Sequence, residues 1–230
     1  INGASSGNSA GYSVSTQDVN GDGAADLIIG AYKAGSSKGA AYVIYGKAPA
    51  QASVAITITA VNDAPAFTGL NGGARFIEGG SAVRIDRDVT VADAELDLAG
   101  NYAGAVLTVA RSGTASSDDS FGIDATGASF TISGGTLVVA SQTIASFSSS
   151  GGTLTVTFTS YATPSLVDAV LQRVTYANSD DAPPSSVNLA WSLSDGNSGG
   201  QGSGGALSAT GTATVSITPL DGLPEPTAPA

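Results

Sequence analysis

The chemistry open to this 230-residue chain is carried by its carboxylates, because the sequence contains no His, no Cys and no Met. Without His or Cys, Ser-His-Asp and Cys-His nucleophiles, the usual zinc sites, haem and iron–sulfur clusters are excluded, and no disulfide can staple the fold. What remains is hard-oxygen chemistry. Asp and Glu together number 19 against 8 Lys and Arg, a formal net charge of −11. The densest set is Asp18-Val19-Asn20-Gly21-Asp22-Gly23-Ala24-Ala25-Asp26, with side-chain oxygens at alternate positions, a Gly after the third, and a closing Asp. Calcium takes six to eight hard oxygens. Asp18, Asn20, Asp22 and Asp26 supply four side chains, the Ala24 carbonyl a fifth, and water the rest. Three carboxylates this close repel one another unless a cation sits among them. The plain alternative is an Asn/Asp/Gly hairpin turn.

A second acidic set is spread through the chain. Asn62 and Asp63 precede Ala64-Pro65; Glu78 opens a Gly-Gly turn; Asp93 and Glu95 flank Ala94; Asp195 precedes Gly196. If residues 91–95 are extended, Asp93 and Glu95 share one side, where again only a cation relieves their repulsion. Asp63 as a turn cap and Asp195-Gly196 as a hairpin turn are the structural alternatives. Asp97 is a weaker candidate, and Asp118-Asp119 and Asp180-Asp181 read as solvated loop charges.

The elements that must position these acids read as strands. Gly is abundant at 31 residues, while Glu and Lys, the helix formers, occur three times each, so an all-β fold is expected. Mean hydropathy is +0.18 and 42% of residues are hydrophobic, which argues against wholesale disorder. Short apolar runs at Tyr12–Thr16, Leu27–Ala31 and Ala41–Tyr45 predict a meander. Ser53–Val61 alternates, with Val54, Ile56, Ile58 and Ala60 on one face, and predicts a half-buried strand. Further strands are predicted at Ala82–Ile85, Ala105–Ala110, Phe130–Ile132, Thr136–Ala140, Thr153–Thr159, Val187–Leu193 and Thr212–Thr218. Pro164 and the spacing of Leu166, Val167, Val170 and Leu171 predict a short helix over Ser165–Arg173. Trp191, the single Trp, is expected as a core anchor. Asn197–Gly205 reads as a flexible Gly-rich loop. The units expected are 1–48, a linker and strand over 49–66, a sandwich over 67–220 and a Pro-rich tail over 221–230. The chain opens at Ile1 in mid-pattern and reads as a mature or excised piece.

Two resemblances sharpen this reading. Gly11-Tyr12-Ser13-Val14, the acidic loop, Asp26-Leu27-Ile28-Ile29-Gly30-Ala31 and Gly39-Ala40-Ala41-Tyr42-Val43-Ile44-Tyr45-Gly46 together resemble one FG-GAP repeat, the blade of integrin-alpha-type β-propellers, whose loop binds calcium. The loop itself is similar to the front of an EF-hand but closes at position nine and lies between strands. Propellers need several blades, and one is present. Residues 53–218 resemble a bacterial cadherin-like repeat of large adhesins. The carriers are Ile56 to Phe67 ending in Asn62-Asp63-Ala64-Pro65, Glu78-Gly79-Gly80, Val91 to Glu95, Ala169 to Asn178, Ser192 to Gly196, and Ala213 to Thr218. That resemblance implies a Greek-key, Ig-like sandwich. It also implies that Asn62, Asp63, Glu78, Asp93 and Glu95 ligate Ca²⁺ at the amino-terminal pole, helped by Asp195. After Thr218 the linker pattern breaks into Pro219-Leu220-Asp221, so this repeat reads as the last in its row.

The function expected is a non-catalytic, calcium-binding extracellular module of a bacterial surface adhesin or scaffold, in which ions stiffen loops and joints. Its partners are expected to be neighbouring modules of the same chain and a cell-surface or matrix ligand. Nucleic acid is a poor partner for so acidic a chain, and no apolar run approaches the roughly 18 residues of a membrane span. Gly7-Asn8-Ser9-Ala10-Gly11 matches a nucleophile elbow in letters but has no His to work with. Gly200-Gln201-Gly202-Ser203-Gly204-Gly205 matches a dinucleotide fingerprint without its βαβ context. A glycosidase-type carboxylate pair is compatible with the composition, but calcium accounts for the acids better. The alternatives are a glycan-binding or spacer module of a secreted enzyme, or a self-assembling subunit whose blade pairs edge to edge with another chain.

Overall fold

The structure, a computed structural model, describes residues 9–34, 38–48 and 55–220. The expected Pro-rich tail and most of the expected linker lie outside these residues. The chain divides into two compact units, Ile1–Thr57 and Ile58–Ala230. No helix among the described residues is long and apolar enough to cross a membrane.

The first unit holds an antiparallel sheet of β1 (Ala10–Gln17), β2 (Asp26–Ala31) and β3 (Ala40–Ile44), in the order β1-β2-β3. This agrees with the three runs read from the sequence. Asp26, Ile29 and Ala31 on the central strand β2 are buried, whereas every residue of β1 and β3 is exposed. Cross-strand pairing sets Val14, Ile29 and Tyr42 in one row.

The second unit is built on an eight-stranded sheet. In spatial order it comprises β10 (Thr131–Ser133), β11 (Thr136–Val139), β12 (Gln142–Ser150), β13 (Thr153–Phe158), β8 (Val106–Arg111), β15 (Ser186–Ser194), β16 (Ser208–Thr218) and β5 (Gly72–Ile77). Only the last pair, β16 with β5, is parallel. A three-stranded sheet joins β6 (Val83–Arg84), β14 (Val174–Asn178) and β9 (Asp119–Ile123), and β4 (Ala66–Thr68) pairs with β7 (Thr90–Ala92). Two short helices complete the unit, α1 (Ala94–Ala99) and α2 (Pro164–Leu171). The second has Pro in its first turn, where a missing N–H costs nothing, and buries Val167, Val170 and Leu171.

Strict alternation builds the core. On β15, Val187, Leu189, Trp191 and Leu193 are buried while their neighbours face out, the period-two pattern of a sheet with one dry face. Leu107 and Val109, Leu154 and Val156, and Val215 and Ile217 continue that face across the sheet. Trp191 is 1% exposed and meets Phe67 edge-on, with ring centroids 6.4 Å apart. Tyr176 on β14 takes Phe76 and Phe121 edge-on at 5.9 and 5.7 Å, the geometry aromatic quadrupoles favour.

Two expectations are corrected here. Ala55–Ala60 belongs to no strand, and Ile56 and Ile58 are 82% and 89% exposed, because among the described residues no strand offers that segment a ladder; Val54 lies outside the described residues. Asp119, read as a solvated loop charge, is instead buried on β9. Arg111 grips both its oxygens at 2.7 Å, while the Tyr176 hydroxyl and the Asn178 amide donate to Oδ1 at 2.7 and 2.8 Å. Burial would push this carboxyl up, but the hydrogen bonds from Arg111, Tyr176 and Asn178 outweigh it and hold Asp119 below the usual carboxylate range. A carboxyl lowered by folding contributes stability above its unfolded pKa and loses it as pH falls through the lowered value. Asp119→Ala strands the Arg111 charge against the sheet, and is expected to cost about 3 kcal/mol at neutral pH. Urea unfolding of both proteins at pH 7 and below pH 3 tests this; the gap should close in acid.

Candidate metal centres

The first acidic loop joins β1 to β2. The Asp18 carboxylate accepts backbone N–H groups from three residues ahead of it: Gly21 at 2.6 Å and Asp22 at 3.2 Å on Oδ1, and Gly23 at 2.9 Å on Oδ2. Asn20 Oδ1 accepts from the Asp22 N–H, and Asp22 Oδ1 from the Ala24 N–H. Gly21 and Gly23 adopt φ of 78° and 84°, left-handed backbone that admits glycine at little cost and lets the chain curl round the carboxylates. The backbone N–H of Gly23, with those of Gly21 and Asp22, holds the Asp18 carboxyl below its usual range despite some desolvation. Asp26 is fully buried at the head of β2, where its oxygens accept the N–H groups of Val19 at 2.9 Å and Gly46 at 2.8 Å. It therefore ties both ends of the loop to the chain beyond β3. The two ion pairs among the described residues, Arg84–Asp124 and Arg111–Asp119, lie elsewhere, so no ammonium or guanidinium offsets the loop's three carboxylates.

The second set gathers in part. Asp195 is fully buried at the end of β15, where it accepts the N–H groups of Asn197 and Leu207 at 2.9 and 3.0 Å and the Asn62 side-chain amide at 2.7 Å. The Asp63 N–H donates to Glu95 Oε2 at 3.2 Å. Asn62, Asp63, Glu95, Asp93 and Asp195 are thus linked at one end of the second unit. Asp93 and Glu95 do not lie on an extended segment as expected. Asp93 is the N-cap of α1, its Oδ1 accepting the N–H groups of Glu95 and Leu96 at 3.1 and 2.9 Å, and Glu95 sits in the first helical turn. The Asp-x-x-x-Asp spacing outcompetes the strand reading: Asp97 Oδ2 accepts the Asp93 N–H while Asp97 Oδ1 takes the Tyr102 hydroxyl.

Glu78 is the member that fails to join. Its N–H donates to the Thr218 carbonyl and its Oε2 accepts from the Leu220 N–H at 2.7 Å. Because β5 runs parallel to β16, Glu78 lies at the far end of β16 from Asp195, about 30 Å of strand away. The Gly-rich loop expected to be flexible is organised by Asn197, whose amide donates to the Gly202 carbonyl and whose Oδ1 accepts from the Gly199 and Gln201 N–H groups. That loop meets the linker through a bridge between Val61 and Ser203. Asn197 was invisible to sequence reasoning, since Asn-Ser-Gly-Gly reads equally as a loose loop.

The electrostatics at this end are unfinished. Asn62 Oδ1 and Asp93 Oδ2 are buried with no hydrogen-bond partner among the described residues. Asn62 is 4% and Asp93 2% exposed, so bulk water does not serve them. Burial, abetted by the charges of Glu95 and Asp195, pushes the Asp93 carboxyl above its usual range against the helix N–H groups that favour ionisation. Among the described residues no three Asp or Glu side chains already stand together as an ion cage; the acceptors at this end include an amide and two carboxylates that are each partly committed to backbone.

Residues 10–44 match the FG-GAP repeat family. The match covers β1, the acidic loop, β2 and β3. No curated protein and no solved structure matches the chain. The FG-GAP segment points to an extracellular, non-catalytic module of integrin-like type, and its acids from Asp18 to Asp26 all lie inside the match.

A carboxyl whose pKa folding raises stabilises the fold while it is protonated, and that contribution is lost as pH climbs from the unfolded value through the raised one. In chelator, Asp93→Asn keeps an N-cap of equal quality and removes the charge. Its melting temperature should then match the parent at pH 4 and exceed it at pH 7, as read by circular dichroism.

Proposed function

We propose that this chain is a non-catalytic, calcium-binding extracellular module of a bacterial surface adhesin or scaffold, in which Ca²⁺ ties acids from separate segments and stiffens them for adhesion. The observation that carries this reading is the pair of buried acceptors without donors, Asn62 Oδ1 and Asp93 Oδ2, beside the buried carboxylate of Asp195. An acceptor out of water with no donor costs about 1–3 kcal/mol; a divalent cation would satisfy oxygen acceptors and negative charge together, and neither ion pair among the described residues brings a guanidinium or ammonium here to do so. Asn62, Asp63, Asp93, Glu95 and Asp195 would hold an ion there, in keeping with the resemblance of this unit to cadherin-like repeats. Asp18, Asn20, Asp22, the Ala24 carbonyl and Asp26 would hold another in the FG-GAP loop. Bound calcium supplies concentrated positive charge to oxygens that otherwise repel; the protein's part is to present those oxygens at the ends of strands.

The FG-GAP match and the net charge of −11 support an extracellular setting, where calcium is plentiful. Neighbouring modules and a cell-surface or matrix ligand would be the partners, with the acids at the linker placed to stiffen the joint preceding the second unit.

Thermal melting in millimolar Ca²⁺ and in chelator tests this. At free ion a thousandfold above Kd, binding adds about 4 kcal/mol, so the midpoint should rise by several degrees. Asp22→Ala should abolish one ion's contribution and leave the other, and Asp93→Asn should lose the calcium gain while remaining stable in chelator. A midpoint indifferent to calcium sinks the reading.

A further inference from the structure

Ala55–Ala60 has the sequence of a sheet's closing strand but no sheet. Ala55-Ile56-Thr57-Ile58-Thr59 repeats the pattern of Thr214-Val215-Ser216-Ile217-Thr218 at the end of β16. On β16 the equivalents of Ile56 and Ile58, Val215 and Ile217, are 0% and 4% exposed between β15 and β5. In the first copy of the pattern the isoleucines are 82% and 89% exposed, and among the described residues Ala55–Thr59 has no ladder partner; the Ala60 carbonyl, next to the bridge at Val61, accepts the Ser203 N–H at 3.0 Å. An apolar, β-branched segment left unpaired is a ready donor for another sheet's edge.

Among the described residues, one edge of the first unit's sheet carries no further strand. Among the described residues β3 pairs only with β2, through five consecutive partners without a shift. The other longer edges are less receptive: β1 is interrupted by a bulge between Ala10 and Ser13, β10 spans three residues, β5 begins with Gly72 and Gly73 in left-handed backbone, and β9, though as regular as β3, has Asp119, Phe121 and Ile123 buried. Bulges and short strands are the ordinary means of blunting an edge; β3 has neither. Its row of Tyr42 and Ile44, 39% and 47% exposed, continues the apolar face of Ile29 and Leu27 and would be extended by Ile56 and Ile58, leaving Thr57 and Thr59 on the side of Ala41 and Val43.

We propose that Ala55–Ala60 of one copy adds as a fourth strand to the open edge of β3 in a second copy of this chain. Each copy then offers one donor and one acceptor, which closes as a twofold pair or runs on as a filament, depending on the rotation between copies. The proposal goes beyond calcium binding and does not depend on it.

Sedimentation of the full chain at about 100 μM, where a complex of micromolar Kd is nearly saturated, should show association in calcium and in chelator alike. The Ile56→Lys/Ile58→Lys variant, altered where the side chains already face water, should keep the parent melting temperature and sediment as a monomer. Because the chain has no Cys, a mixture of the Thr57→Cys protein with the Val43→Cys or Ala41→Cys protein should oxidise to a mixed disulfide between chains. A monomeric parent, a doubly substituted variant that still associates, or the absence of the mixed disulfide would each overturn the proposal.

Discussion

A carboxylate taken out of water must find positive charge or a full set of donors, and the second unit is organised around how its buried acids meet that demand. Asp119 does so with a guanidinium, a phenol and an amide, which welds β8, β9 and β14 together behind the core. Asp86 does so with backbone alone: the N–H groups of Asn71, Gly72, Asp88 and Val89 converge on it and outweigh its desolvation, leaving its carboxyl lower than usual. Asp93 is the exception. Its cap duty satisfies one oxygen, the other has no donor, and its carboxyl rises. The same demand is met at Asp119, Asp86 and Asp195 and left open at Asp93.

The FG-GAP loop meets the demand in a third way. Backbone N–H groups from Gly21 to Ala24 fold in on Asp18, Asn20 and Asp22, a nest whose curvature depends on two glycines with positive φ. Asp26 is spent on the frame, anchoring Val19 and Gly46. Loop and frame are thereby coupled: whatever orders the carboxylates also orders the path from β1 to the end of β3.

Much of this is legible in the sequence. The nine-residue acidic pattern, the three strands around it and the FG-GAP resemblance were read from residue types alone, since each is local: ligand spacing, glycine after the third acid, and period-two apolar runs. The long alternating strands β13, β15 and β16 were equally plain, as was the helix behind Pro164. What escaped were the short strands β4, β5, β7, β9 and β14, too brief or too polar to show a period, and β12, where Ser and Thr dominate Gln142–Ser150 and hide the two buried residues Ile144 and Ala145; the burial of Asp119 escaped as well, its neighbour Asp118 disguising it as a solvated pair.

Sequence by itself determined the chemistry: carboxylate oxygens, no imidazole, thiol or thioether, and strands to carry them. Tertiary structure alone decided which acids meet. Parallel pairing of β5 with β16 sends Glu78 to the end opposite Asp195, and the capping of α1 by Asp93 turns an expected extended pair into a helix start. The first outcome is not encoded locally, because strand direction depends on a partner more than 100 residues distant; the second is a local contest, in which the N–H groups of Glu95 and Leu96 and the carboxylate of Asp97 favour a helix start over an extended pair.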